Sequence, residues 1–200
     1  MKIIPVIGVL GVFPLFTTVL WATTLTMTEV PFQPVDGLTV HGVTFHFSIN
    51  GVPSTDAIYN SGGPGVMTYV QDPSLEGNAL GVLTMDFAVP TNGLQFGVAR
   101  DTYNPLTPGL EVSLFDGLLN PLGTFTLDTN RLITYSEGLF SSTLTIRRAE
   151  LSFPGAATAD RFAIDNITFP AQVSEPTTML LLGSGLIGLA GYGRKKFFNK

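Results

Sequence analysis

The sequence predicts an all-β protein, a single jelly-roll-like antiparallel β-sandwich flanked by an N-terminal signal helix and a C-terminal transmembrane helix. Three observations predict this arrangement. Short runs rich in Phe, Val, Thr, Ile and Tyr fill the middle of the chain and are separated by Gly, Pro, Asn and Asp. Several of these runs alternate apolar and polar residues with period two. The chain also has an uncharged apolar segment near each end.

The N-terminal segment has the layout of a secretory signal. Lys2 is followed by no further charge until Glu29, and a short positive start before an apolar core is typical of a signal peptide. We assign residues 1–24 to it and leave open whether cleavage follows Ala22 or Thr24. A retained anchor is the alternative.

The middle of the chain, residues 25–173, is predicted to form one domain. Its length of about 150 residues suffices to bury a core. Phe45 and Phe47 share one face of a predicted strand, and Leu83, Met85 and Val89 share one face of another, with polar residues between them. The candidate strands are residues 38–49, 56–60, 66–71, 81–90, 94–100, 110–116, 122–128, 131–136, 142–152 and 161–169.

Two local features refine this prediction. Thr91-Asn92-Gly93 lies between two strong strands and is typical of a tight hairpin. In the last strand the apolar positions change parity between Ile164 and Ile167, so we expect a β-bulge at Asp165-Asn166. Nine or ten short strands at roughly ten-residue spacing favour a sandwich, and this strand number favours a jelly roll.

The C-terminal segment, residues 174–200, has three parts in a fixed order. Glu175 and Pro176 come first, and an apolar run over 177–193 follows. At 1.5 Å per residue this run barely crosses a bilayer core. The last part is basic and begins with Arg194, Lys195 and Lys196, so the rest of the protein is expected to face outward.

This order resembles the PEP-CTERM sorting signal of bacteria, although Ser174 replaces the first proline of the motif. The segments 162–169 and 80–87 also look like strands of the β-sandwich domains that carry the signal. The resemblance implies processing by an exosortase in a Gram-negative bacterium that makes exopolysaccharide. Gly183 to Gly188 also satisfy the G-x-G-x-x-G pattern, but no acidic residue follows, so we interpret them as small residues of a membrane helix.

Charge and composition exclude several classes of protein. Between the ends, five arginines and no lysine face 15 acidic residues, so phosphate backbones would be repelled and nucleic-acid binding is excluded. The absence of Cys excludes disulfides, thiolate nucleophiles and Cys-ligated metals.

Little in the sequence points to catalysis. His41 and His46 lie five apart on one predicted strand, so they should face opposite sides. No nucleophile-elbow or zinc motif occurs in the body, and sequence alone pairs none of the available carboxylates for glycoside hydrolysis. Those carboxylates are Glu76, Asp86, Glu111, Asp116, Asp128, Glu137 and Glu150.

We expect no catalytic cofactor, and we name Asp165 as a candidate ligand of a structural calcium ion, with Asp36 or Glu76 as partner. The alternative is that Asp165 and Asn166 bond nearby backbone at the bulge. Four tyrosines could stack on sugar rings if they are exposed: Tyr59, Tyr69, Tyr103 and Tyr135.

The resulting hypothesis is an exported, non-enzymatic protein of the cell surface or exopolysaccharide matrix, with a structural or adhesive role. Its expected partners are the secretion machinery, an exosortase, the membrane (transiently, through 177–193) and exopolysaccharide. A carbohydrate-binding module is the first alternative and would show exposed aromatics flanked by Asn, Asp or Gln. A polysaccharide hydrolase is the second and would show a cleft with two carboxylates.

Overall fold

The computed structural model describes residues 21–102, 104–132 and 135–171. These belong to one compact unit, Leu20–Gln172. The described residues contain no helix that could span a membrane. The predicted signal helix, the transmembrane helix and the sorting residues Glu175, Pro176, Arg194, Lys195 and Lys196 lie outside them.

The body consists of strands, which confirms the predicted all-β class. The strands are β1 (Trp21–Leu25), β2 (Gln33–Pro34), β3 (Thr39–Val40), β4 (Val43–Ile49), β5 (Val52–Pro53), β6 (Ile58–Ser61), β7 (Ser74–Asn78), β8 (Gly81–Thr91), β9 (Leu94–Asp101), β10 (Leu106–Phe115), β11 (Pro121–Leu132), β12 (Tyr135–Ser142), β13 (Ile146–Ser152) and β14 (Arg161–Ala171).

The strands form a curled antiparallel sheet that gives a sandwich-like body. In what we call the front sheet, the order is β2-β6-β7-β14-β9-β12, and β1 pairs with the second half of β14. In the back sheet the order is β10-β13-β8-β4-β3, and β5 pairs with β4. Strand β11 joins the two sheets, because its first part pairs with β10 and its last three residues pair with β12.

The alternation predicted for β4 and β8 is confirmed for most positions. Phe45, Phe47, Leu83 and Met85 are buried and face the interior. Val89 departs from the pattern, since half of its side chain is exposed. It lies near the end of β8, where the register between β8 and β13 shifts and the burial pattern breaks.

Of the two predicted local features, the β-bulge is confirmed and the tight hairpin is wrong. Strand β8 ends at Thr91 and β9 begins at Leu94, so a short turn at Asn92-Gly93 does connect them. However, β8 pairs with β13 and β4, and β9 pairs with β14 and β12, so this turn leads from the back sheet to the front sheet and the two strands form no hairpin. The register between β14 and β9 shifts between Asp165 and Thr168. Asn166 has a φ of 55° there, in the left-handed region that asparagine tolerates better than most residues.

Several predicted strand boundaries are wrong. The segment 38–49 is divided by a turn at His41-Gly42, so the two histidines are not on one strand. The segments 122–128 and 131–136 are not separate strands, since β11 runs through Leu132. Residues 66–71 form no strand: Val70 is buried and Met67 is half-buried against the outer surface of a sheet, whereas Val66 and Tyr69 are exposed.

Aromatic side chains join the two sheets across the core. Phe45 of β4 meets Tyr59 of β6 with ring centroids 6.0 Å apart. Phe47 lies 5.9 Å from Phe162 of β14, and Phe87 of β8 lies 5.3 Å from Phe169. Aromatic pairs at these separations contribute beyond the area they bury. Because each pair connects the back sheet to the front sheet, the core fixes how the two sheets stack.

Candidate functional site

A loop covers part of the outer surface of the front sheet. We call residues 62–73, which connect β6 to β7, the strap. Val70 of the strap is buried with Ala99 and Ala163, which lie on β9 and β14. A Cβ on Gly97 would overlap the carbonyl of Tyr69. Small residues on the sheet therefore allow the strap backbone to lie directly against it.

Two buried carboxylates attach the strap to the sheet. Glu137 of β12 accepts backbone hydrogen bonds from Thr68 at 3.1 Å and from Tyr69 at 2.8 Å. Asp165 accepts one from the backbone of Gln71 at 3.0 Å. Each of the two acids is only 3 % exposed. Hydrogen bonds from N–H groups to a carboxylate are stronger than neutral ones, so these contacts hold the middle of the strap.

Asp165 therefore has a structural role. Besides Gln71, its carboxylate accepts bonds from the backbone N–H and the side-chain amide of Asn166. This is the alternative given above, in which Asp165 bonds backbone at the bulge. Burial raises the pKa of Asp165, the two backbone bonds oppose that rise, and the nearby charges of Glu29 and Asp72 add to it.

The structure does not bring Asp36 to Asp165. Asp36 accepts a bond from the backbone of Phe47 and lies 3.5 Å from His46, on the outer face of the back sheet. Glu76 is on β7, next to β14, but its neighbours are Ser61 and Asp72. No group of three or more His, Asp or Glu side chains within 21–102, 104–132 and 135–171 could hold a metal ion.

The rest of the outer front surface is uncovered, and we call it the open face. A polar row crosses four strands there, because Thr24 pairs with Thr168, Thr168 with Gln95, and Gln95 with Ser141. Gln95 and Ser141 are exposed. Gly97, which is the next residue of β9 on this face, is bordered by Leu139 and by Tyr69 of the strap. Each of these two side chains is 39 % exposed.

The tyrosines fit the predicted sugar-binding row only in part. Tyr59 is fully buried, and its hydroxyl donates to Glu29 at 2.5 Å. Burial raises the pKa of Tyr59 well above its usual range, and the bond to Glu29 raises it further. Tyr135 is half-buried, and Tyr103 is outside the described residues. Tyr69 remains as an exposed aromatic, and the side chain of Asn166 lies 3.4 Å from its carbonyl.

The outer face of the back sheet carries charges that are already paired. Arg148 makes a two-pronged contact with Asp86, at 2.8 and 2.9 Å, and lies 3.7 Å from Glu150. His46 lies between Asp36 and Asp86, whereas His41 lies in the turn between β3 and β4. Charged side chains that pair with one another in this way are typical of a solvated sheet face. The two histidines lie on different segments and do not form one site.

The depression at one end of the sandwich lacks the two carboxylates of a hydrolase. A depression of about 420 Å³ lies at one end of the sandwich, between residues 79–82 and 152–156, and Glu111 is the one acidic residue in its lining. Of the other candidate acids, Glu137 holds the strap, and Asp116 accepts bonds from Leu118 and Asn120 in its own turn.

Comparisons with known proteins identify the C-terminal segment. Residues 172–195 match the PEP-CTERM protein-sorting motif. The chain is therefore that of an exported protein, anchored at its C-terminus in a membrane and sorted by an exosortase. No curated protein sequence matches the chain.

Solved structures similar to the body include family 29 carbohydrate-binding modules. Two mutants of the CBM29-2 module, from work on ligand recognition, are 11 % and 12 % identical, with TM-scores of 0.40 and 0.41. They cover 74 % and 75 % of this chain and 91 % of their own. A further family 29 module is 13 % identical, with a TM-score of 0.39 over 74 % of this chain and 88 % of its own. Likeness at this level carries no inference about a ligand.

Proposed function

We propose that the protein is a non-enzymatic component of the cell surface or exopolysaccharide matrix, delivered there by exosortase processing. The observation that carries the proposal is the PEP-CTERM motif at residues 172–195. In this account the N-terminal signal, which ends at Ala22 or Thr24, directs export, and residues 177–193 hold the chain in the membrane until the motif is removed. The mature protein is the β-sandwich, of jelly-roll type, with a structural or adhesive role.

The state of the carboxylates supports a non-enzymatic role. A glycosidase needs two carboxyl groups facing each other across a cleft. Here Glu137 and Asp165 are occupied by backbone N–H groups, and Asp86 is paired with Arg148. Acids already held by strong partners within the fold are not free to act as general acid or base.

Mass spectrometry of the mature C-terminus tests the sorting proposal. The protein is recovered from the membrane, surface and matrix fractions of the producing organism, with and without its exosortase. We expect surface and matrix forms that end before the basic residues Arg194–Lys196, and an uncut membrane form when the exosortase is missing. Surface or matrix forms that retain residues beyond Gly193 would contradict processing.

A second candidate function is carbohydrate binding by the open face. Sugar-binding surfaces combine an aromatic ring with amide and hydroxyl groups that replace water on the sugar. Tyr69 supplies the ring, Gln95 supplies an exposed amide, and Thr168 and Ser141 supply hydroxyls. We expect these groups to bind one side of a polymer chain.

Binding to the producing organism's own exopolysaccharide tests this second candidate. The full-length protein in detergent is titrated with the polysaccharide, once with calcium and once with a chelator. Saturable binding in either condition supports sugar recognition. No binding in both conditions rejects it and leaves a passive matrix protein, which the C-terminal analysis tests separately.

A further inference from the structure

Three side-chain oxygens converge at the start of the strap. A Cβ placed on Gly63 would overlap the hydroxyl of Ser74 and would lie 2.9 Å from one carboxylate oxygen of Asp72 and 2.9 Å from one of Glu76. We call this cluster the acidic pocket. A residue with a side chain would fill it, so glycine at position 63 keeps the oxygens accessible to a small ligand.

Ser74 shows that the acidic pocket is incomplete. Its side chain is fully buried, and its hydroxyl has no hydrogen-bond partner among the described residues. Buried hydroxyl groups are almost always satisfied, because an unpaired one keeps the full cost of its desolvation. This hydroxyl faces the point on which the two carboxylates converge, so a ligand there would satisfy it.

The charge of the acidic pocket is also unbalanced. Burial raises the pKa of Glu76, the bond from Ser61 and the charge of Arg161 oppose that rise, and the charges of Asp72 and Asp101 add to it. Arg161 is engaged with Asp56 at 2.9 Å. A cation would offset the repulsion between the carboxylates.

We propose that the acidic pocket binds a divalent cation of the calcium type, with Asp72, Glu76 and Ser74 as its ligands. Hard oxygen donors suit calcium, which tolerates irregular coordination completed by water. Ser61 donates to the second oxygen of Glu76 at 3.0 Å and orients the carboxylate.

The expected affinity is low and the expected effect is local. With two carboxylates the pocket belongs with weak extracellular calcium sites, whose Kd is about 10⁻⁴–10⁻³ M. The ion would join Asp72 at the end of the strap to β7, beside Gly63 at its beginning. Calcium would thus close the base of the strap, whose middle is held by Glu137 and Asp165.

Thermal unfolding of the full-length protein in detergent tests the site. Metal is removed with a chelator, and calcium or magnesium is then added alone. We expect about 10 mM calcium to raise Tm by about 3–6 °C, and magnesium to raise it less. Terbium luminescence, sensitised by the protein's tyrosines and reversed by calcium, gives a second readout of binding.

Matched variants assign the effect to the acidic pocket. Asp72→Asn and Glu76→Gln should lose the calcium-dependent shift, and Ser74→Ala should weaken terbium and calcium binding severalfold. Asp72 is exposed and its asparagine variant keeps an acceptor for Gly65, so it should fold. Asp128→Asn on β11 makes the same change of charge at an exposed position and should respond as the wild type.

Either of two results would overturn the proposal. One is a wild-type protein whose Tm and terbium luminescence do not respond to calcium. The other is a response that Asp72→Asn and Ser74→Ala retain in full, which would place the ion elsewhere. Neither result depends on polysaccharide binding or on C-terminal processing, so failure here is distinguishable from failure of the proposed function.

Discussion

The carbonyl of Tyr69 lies against the Cα of Gly97, so close that a Cβ on residue 97 would overlap it. The strap therefore depends on the absence of a side chain on β9. We predict that Gly97→Ala displaces the strap and lowers the free energy of unfolding by about 1–3 kcal/mol. Gly62→Ala is the matched control, since nothing lies within 4 Å of its added Cβ. Hydrogen exchange at the amides of Thr68 and Tyr69 reports the displacement, and equal protection in both variants would show that Gly97 is not required.

Arg100 is the largest fully buried side chain among the described residues. We expect its contribution to the free energy of unfolding to depend more on the volume of the side chain than on its charge. Its guanidinium donates to the carbonyl of Gly109 at 2.9 Å, lies 5.5 Å from the Phe153 ring centre and is 3.5 Å from Asp160. Arg100→Ala leaves a cavity and should cost about 3–5 kcal/mol. Arg100→Met keeps the volume and should cost about 1 kcal/mol, for the lost hydrogen bond. Urea denaturation measures both, and equal losses would indicate that the contact with Asp160 dominates.

The front sheet should become more stable in mild acid. The pKa values of Glu76 and Asp165 are raised in the folded state, mainly by burial. At pH values just above the ordinary carboxyl pKa, the folded state therefore binds more protons than the unfolded state. The free energy of unfolding then falls as the pH rises through the raised pKa values of the two acids. The pKa of Glu29 is lowered, so its contribution is lost on further acidification below 4.5.

Denaturation at a series of pH values, with chelator present, checks this sign. Unfolding free energy should increase as the pH falls from 7 towards about 4.5 and should then decrease. Glu76→Gln removes one of the two groups and should flatten the slope above pH 4.5, whereas Asp128→Asn should not. A wild-type stability that falls steadily from pH 7 downward would show that the buried acids are not the dominant titrating groups.

The mature N-terminus is predicted to be Thr23. Strand β1 pairs with β14 from Trp21 to Leu25, and Leu25 is fully buried. Cleavage after Ala22 leaves three paired residues, including Thr24, whose hydroxyl lies 2.9 Å from that of Thr168. Cleavage after Thr24 leaves one and uncovers the edge of β14, which is unfavourable for a strand. N-terminal sequencing of the exported protein distinguishes the two, and a chain beginning at Leu25 would contradict the prediction.

Local chemistry made the clearest elements predictable. The alternation around Phe45 and Met85, the turn at Asn92-Gly93 and the parity change at Asp165-Asn166 each depend on neighbouring residues, and the structure has all three. The predicted hairpin at that turn is nevertheless absent, because strand pairing depends on distant residues and places β8 and β9 in different sheets. The strap was not predictable in this way. Val70 is apolar in either environment, and only the small residues Gly97 and Ala163, distant in the sequence, decide that it lies on a sheet and not within one.

The site was less predictable than the fold because its residues meet across strands. Glu137 follows Thr68 by 69 positions, and Gln95 joins Thr168 only through the register of β9 and β14. The acidic pocket is more local, since Ser74 and Glu76 alternate along β7 and Asp72 lies two residues before it. Its signal was visible as Asp-x-Ser-x-Glu, but the role of Gly63 emerges only when the strap is folded.

The most direct test of a matrix protein with a sugar-binding open face is to compare variants on the two outer surfaces. Retention of the full-length protein on the producing organism's exopolysaccharide is measured for Tyr69→Ala, for Gln95→Ala and for Thr126→Ala, which alters an exposed residue of β11 beside the back sheet. Retention should fall severalfold for the two open-face variants and should equal that of the wild type for Thr126→Ala. Wild-type retention by all three variants, or no retention of the wild type itself, would contradict sugar binding by the open face.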